Sequence, residues 1–480
     1  MRSHAGGAAF MGYAQDSLSV TRTTPLIARL AGVLLTLGLV TLVSAAGAAR
    51  PRGHHPGYLE PWTDPATQVR IVRITGDAGK GFTLGRARGT WGTDARHHYS
   101  RDQPWNADGT LLAVENRGGG SPTSLLLDGN TYEPLTARCD KFTLNDFRWH
   151  PSIAHARVQI GVREATDSLV WLDPIACRIE RGWKLPLSPK GIGFNEGNPS
   201  NDGRFLALAN QDSIVIVDMD PQAPHGSYAG GNRRIGPVYV LPPCSLDVLR
   251  PAQCRVGNIS ISASGRYVDV KFGGVSGDSA AEAHRIYEVD PVSLAIRPHA
   301  MAATALRCGS FQARPNGWIF PLKHADLALD PSDRDEDVIV GARSCPGSRM
   351  GRVVKVRLRD GAVTELTDPR SEASPWHVSS RNLDRPGWVY VTYMTVPGKR
   401  QSGEIVAVKL DGSKTIERIA RHRTIKAGRY RAEAHAVPSR DGRRVLFASN
   451  WAEDCPECAP RIEAFIADTR SKPGGGRGAR

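Results

Sequence analysis

Seven times along this chain a short polar turn leads into an apolar, strand-like run. The turns are Trp105–Gly109, Trp149–Ser152, Asn198–Gly203, Ser262–Gly265, Arg314–Gly317, Asp384–Gly387 and Pro438–Gly442. Runs rich in β-branched and aromatic residues follow them, among them Phe205–Ala209, Tyr267–Phe272, Trp318–Leu322, Trp388–Tyr393 and Val445–Ser449. A second apolar run, often closed by an aspartate, comes next in each unit, as in Ser124–Asp128, Leu169–Asp173 and Ser213–Asp218. Each unit therefore reads as strand, turn, strand, loop, strand, turn, strand. Seven such units, all-β and of four antiparallel strands each, predict a seven-bladed β-propeller. Helical periodicity is almost absent.

The seventh unit lacks its last strand. Gln68–Thr75 lies ahead of the first unit and alternates polar with apolar residues. It is expected to complete the last blade, tying the two ends of the fold together and removing an exposed sheet edge.

Arg29 precedes an apolar run, Leu30–Val43, and the small residues Ser44–Ala49. This is the pattern of a secretory signal cleaved after Ala48; an uncleaved membrane anchor is the alternative. The expected organisation is a signal or anchor over 1–48, a linker over 49–67, the propeller over 68–469 and a disordered, basic, Gly-rich tail over 470–480. Export places the protein in the periplasm or outside the cell, or on the inner membrane facing the periplasm if the segment stays. The chain is expected to act as a monomer.

Eight cysteines in an exported chain point to disulfides. Cys244 and Cys254 are the favoured pair, and Cys455-Pro456-Glu457-Cys458 reads as a staple within a loop. Sixty-two basic residues against 48 acidic give a net charge of +14. That surplus attracts an acidic polymer such as a uronate polysaccharide; nucleic acid is not an expected partner for an exported protein.

The chain resembles the TolB-like propellers, whose blades carry a Ser-x-Asp-Gly turn before an apolar strand. The resemblance covers roughly residues 68–469 and implies the fold rather than an activity.

In a propeller the innermost strands line the axis, so residues leading into them gather around one funnel. Counting back from the turns picks out His98, Glu196, Asn198, Asn258, His377, Glu433 and His435. Glu433 and His435 are expected on one side of a strand, and with His377 they form an N/O ligand set for a divalent metal such as zinc, manganese or calcium. His150, between Trp149 and Pro151, reads as a packing residue.

The stretch Glu433-Ala434-His435-Ala436-Val437-Pro438-Ser439-Arg440-Asp441-Gly442 is similar to a motif of oligogalacturonate lyases. Those are seven-bladed propellers whose last blades supply histidines to a manganese site. His435 matches the second histidine of their His-Pro-His-Pro motif, and Glu433 stands where the first would be. The stretch His97–Pro104 also resembles it. The resemblance implies metal-assisted lyase chemistry on an acidic sugar. His98 or an arginine would be the base and Tyr99 a proton donor, while Arg101, Arg381 and Arg431, with Glu196, Asn198 and Asn258, would bind substrate. The alternative is a non-enzymatic propeller that binds a protein or another cell-envelope partner. No Gly-x-Ser-x-Gly elbow or EF-hand loop is present.

Overall fold

A computed structural model describes residues 54–471 except 145, 221–233, 243–254, 274–282, 302–303, 306–316, 321, 345–350, 369–372, 426–429 and 459. The signal segment, the Cys244–Cys254 pair and residues 472–480 lie outside the described residues.

Seven antiparallel sheets follow one another along the chain as the blades of a propeller. Blade 1 is Asp94–Arg96, Leu111–Arg117, Ser124–Asp128 and Pro134–Ala137. Blade 2 is Asp146–Trp149, Gln159–Arg163, Ser168–Asp173 and Arg178–Lys184. Blade 3 has Phe205–Ala209, Ser213–Asp218 and Tyr239–Val240 as its assigned strands. Blade 4 is built on Val256–Ile261, Tyr267–Phe272 and Ala283–Val289, to which Ile296–Pro298 and Trp318–Phe320 add. Blade 5 is Lys323–Asp330, Glu336–Ser344, Gly351–Arg357 and Val363–Glu365. Blade 6 is Pro375–Ser379, Trp388–Tyr393, Glu404–Lys409 and Ile416–Arg421.

Blade 7 carries Val437–Pro438, Arg444–Ser449 and Glu463–Asp468, and its outer strand comes from the other end of the chain. Arg70–Arg73 pairs antiparallel with this last strand, Arg70 facing Asp468 and Arg73 facing Phe465. Val69, Ile71 and Ile74 are wholly buried there. The expected closure is present, with one addition. The stretch read as a linker contributes Pro61–Thr63, a fifth strand paired with Arg70–Arg73.

The turn motif works through its side chains. Ser439 Oγ donates to Asp441 Oδ1 at 2.6 Å and accepts from the backbone N–H of Arg444 at 3.0 Å. Asp441 Oδ1 also accepts from the Arg443 N–H. Gly442 takes a φ of +69°, which an L side chain resists. Ser200 and Asp202 repeat the arrangement in blade 3. The motif thus starts the second strand of a blade by satisfying its first N–H groups.

One turn is assigned differently from the sequence reading. Trp318–Phe320 pairs with Ala283–Val289 of blade 4, so it is not the first hairpin of blade 5. The blade 5 hairpin turns instead at Asp330–Asp335, where Asp330 accepts from the Ser332 N–H. The apolar core lies between blades. Tyr390, Ile405, Phe447, Phe465 and Ile71 pack blade 6 against blade 7, and Leu446, Ile466, Leu112, Leu125 and Trp105 pack blade 7 against blade 1.

Two disulfides are present among the described residues, Cys139–Cys177 between blades 1 and 2, and the Cys455–Cys458 staple. No helix among the described residues is long and apolar enough to cross a membrane.

Candidate functional site: a histidine cluster at the funnel

Blades 5, 6, 7 and 1 each send a ring toward one point. His377 sits on the innermost strand of blade 6 and is 1 % exposed. Its Nε2 lies 3.5 Å from Glu433 Oε2, and His435 Nε2 lies 3.4 Å from the same oxygen. The His377 and His435 rings meet edge-on with centroids 4.2 Å apart. Tyr99 of blade 1 packs against both, and its Oη is hydrogen-bonded to His324 Nδ1 at 3.1 Å. His324, from blade 5, closes the group against His377 at 4.6 Å. The structure therefore brings His377, Glu433, His435 and Tyr99 together and adds His324, which the sequence reading did not single out.

The Glu433–His435 pair is not held as expected. It precedes the strand rather than lying on it, after a 3-10 turn at Tyr430–Ala432, and His435 has a φ of +44°. His324 is also left-handed, at +46°. Two strained non-glycine residues in one cluster cost about 1–3 kcal/mol each, and the surrounding packing must hold them. Burial first, then His377 and Arg96, pushes the His435 pKa well below its ordinary value, so the ring is neutral. His97 is likewise held neutral by burial and Arg96, and its Nε2–H donates to the His435 carbonyl at 2.6 Å.

Next to this cluster lies a charged group. Arg101 is 3 % exposed, with Glu196 Oε2 3.8 Å from its Nη1. Its Nε and Nη2 are buried without a hydrogen-bond partner. Burial disfavours its charge, but Glu196, Asp326, Tyr99 and Asp269 outweigh that. Those groups come from blades 3, 5, 1 and 4, which puts the guanidinium near the axis. Burial also works to raise the Glu196 pKa, yet Lys271 and Arg101 hold the carboxyl below its usual range. Asn258 Nδ2 donates to Glu196 at 2.6 Å, and Asn198 Nδ2 donates to the Arg101 carbonyl at 3.1 Å.

Three other predicted residues lie elsewhere. Arg381 is buried and binds both oxygens of Asp326 at 3.1 and 3.2 Å, so its donors hold blades 5 and 6 together. Arg431 is paired with Asp94 and with Glu115 at 2.8 Å. His98 stands outside the cluster, its Nδ1 hydrogen-bonded to Asp102 and its side chain 41 % exposed. Burial opposes protonation of His98, but Asp102 outweighs it and raises the pKa. His150 is a packing residue, edge-on to Trp171, with its pKa pushed down to about 3 by burial and by His155.

No protein-family model matches the chain, and none of the curated proteins matches it. Among solved structures it is similar to an oligogalacturonate lyase in complex with manganese, at 14% identity and a TM-score of 0.49, covering 86% of this chain and 96% of that one. It is also similar to the oligogalacturonate lyase of Vibrio parahaemolyticus, at 12% identity and a TM-score of 0.48, covering 85% and 96%. Hydrazine synthase of Kuenenia stuttgartiensis follows at 12% identity and 0.40, covering 76% and 97%. Each is a likeness of low identity.

Proposed function

We propose that the funnel binds an acidic, uronate-bearing oligosaccharide and cleaves it by β-elimination with the help of a divalent metal. The observation that carries this reading is Arg101, a buried guanidinium with two unpartnered N–H groups beside a His/Glu cluster. A buried cation with open donors suits a carboxylate, which offers both charge and acceptors.

Ligand atoms of His377, Glu433 and His435 all lie within 4.8 Å of one another, and all three residues are buried. His435 is neutral, and with Arg96 held on Nδ1 its Nε2 would have to give up its proton to bind an ion. The ligand types fit zinc or manganese; calcium, which takes oxygen ligands, fits two imidazoles poorly. When bound there, the ion would neutralise the substrate carboxylate and acidify the proton at C5.

The remaining roles belong to the chain. Arg101 orients the carboxylate. Asp102 keeps the His98 proton on Nδ1, which leaves Nε2 as the base for the C5 proton. The C5–H electron pair becomes the C4–C5 double bond as the bond from C4 to the leaving oxygen breaks. Tyr99 Oη gives that oxygen its proton, with His324 Nδ1 hydrogen-bonded behind it. Disulfides support an exported protein, periplasmic or secreted.

The test is the ultraviolet absorbance of the unsaturated product over pectic, alginate, ulvan and glycosaminoglycan substrates with added metal. Activity abolished by Arg101→Gln and by chelator is expected, and flat traces on every substrate sink the enzyme.

A second reading, a scaffold binding a cell-envelope protein without chemistry, is favoured by one contact. Arg96 donates to His435 Nδ1, where a metal-bound imidazole ordinarily carries its own N–H. Metal-free protein whose melting ignores chelator would support it.

A further inference from the structure

A cavity of about 320 Å³ opens between blades 1 and 2, within the range of roughly 300–1,000 Å³ common for ligand sites. His98 and Asp102 border it on the funnel side, and Glu115, Arg138, Asp146 and Phe147 line it farther out. The three acids already have cationic partners. Asp102 lies 2.9 Å from Arg148, Asp146 2.6 Å from Arg148, and Glu115 2.8 Å from both Arg431 and Arg117.

Arg138 differs. Its guanidinium lies over the Phe147 ring, 4.2 Å from the centroid. Its Nε and Nη1 are buried and have no hydrogen-bond partner. Stacking on an aromatic face fixes the plane of a guanidinium while leaving its N–H edge open.

The backbone around Arg138 is also fixed. Its N–H donates to the Ser124 carbonyl at 3.1 Å. The next residue, Cys139, is bonded to Cys177 of blade 2 and donates its N–H to the Pro174 carbonyl. Blade 1 and blade 2 therefore hold this side chain from both sides of the cavity, and little ordering is left for a ligand to impose.

We infer that this cavity is a saccharide subsite in which Arg138 reads the carboxylate of a uronate unit next to the one held in the funnel. The inference rests on the proposed reading of the funnel and names what that reading leaves open, a second acidic sugar bound toward the rim. It makes the protein selective for runs of uronate over isolated acidic units. Neutral or esterified sugars would leave the Arg138 donors unpaired and bind more weakly.

Titration calorimetry with trigalacturonate and its methyl ester tests this on the wild-type protein, Arg138→Gln and Arg138→Lys. Arg138→Gln should weaken trigalacturonate binding about 10- to 100-fold and leave the ester unchanged. Arg138→Lys keeps the charge but not the planar stack, and should lose about several-fold. Should the glutamine variant fail to fold, the lysine variant decides, and affinity equal to wild type overturns the subsite. Trigalacturonate bound equally by wild type and Arg138→Gln overturns the subsite while the funnel reading stands. No binding of either sugar by the wild-type protein overturns both.

Discussion

The Arg96 guanidinium donates a hydrogen bond to Nδ1 of His435 across 2.5 Å. The same side chain donates from Nε to the His97 carbonyl at 2.8 Å and from Nη1 to the Glu433 carbonyl at 3.0 Å. One buried cation thus ties the lead-in of blade 1 to that of blade 7 and sets the His435 tautomer. With Nδ1 accepting, the neutral ring carries its proton on Nε2, directed at Glu433. Burial lowers the Arg96 pKa to about 10, which leaves it charged at neutral pH.

Arg96→Lys should therefore destabilise the fold by about 2–4 kcal/mol, because a lysine cannot reach all these acceptors and the abandoned carbonyls stay buried. Urea unfolding measures it. A midpoint equal to wild type would remove Arg96 from this role.

Manganese or zinc at a hundredfold excess over its Kd should stabilise the wild-type protein by about 2.7 kcal/mol. The gain should vanish with chelator and be absent in His377→Ala and His435→Ala. Scanning fluorimetry with and without metal reads it, and equal gains in all three proteins would place the ion elsewhere.

His422 predicts an acid limb to stability. Its Nε2–H donates to the Tyr393 carbonyl at 2.9 Å, and its Nδ1 accepts from the Thr424 N–H at 3.1 Å, so the fold holds the neutral ring. Burial lowers its pKa to about 4. The unfolded chain takes up a proton near pH 6.5 while the folded ring does not until about pH 4. The contribution is complete above about pH 6.5 and is lost as pH falls toward 4, by about 3 kcal/mol in all. His422→Gln should flatten that part of a plot of melting temperature against pH.

Closure of the ring should be sensitive to single atoms. Ile71 is wholly buried on the strand that completes blade 7. Ile71→Ala should cost about 2–5 kcal/mol, whereas Val292→Ala, at a side chain 89% exposed, should stay within about 0.5 kcal/mol. Deleting residues 68–75 should lower the melting temperature sharply. Chemical and thermal unfolding of the three variants separates these outcomes.

The propeller was legible because its turns repeat a chemical device, seen in Ser439 and Asp441, that must occur wherever a blade's second strand begins. Where the device departed from type, the reading slipped. Blade 5 turns at Asp330–Asp335 without Asp-Gly, so the Asn316-Gly317 pair imitates its turn in the sequence and hides His324. The lead-in of the Asp330 turn is the signal that would have found it. His377, Glu433 and His435 could be placed near each other from spacing, but the left-handed backbone at His435 could not, since αL at histidine leaves no mark in a sequence. The fates of Arg381 and Arg431 were equally hidden. An arginine near a funnel reads the same whether it awaits a ligand or grips Asp326, Asp94 or Glu115.

The pairing of Arg70–Arg73 with Glu463–Asp468 also sets an order of events during synthesis. The strand that seals the ring is made before all six blades it must wait for, and its partner after them. Until the partner arrives, the early strand has nothing of its own blade to join, and each partial sheet ends in an open edge. A chain interrupted anywhere before residue 463 cannot make this pairing, so ring closure waits for the last strand of blade 7.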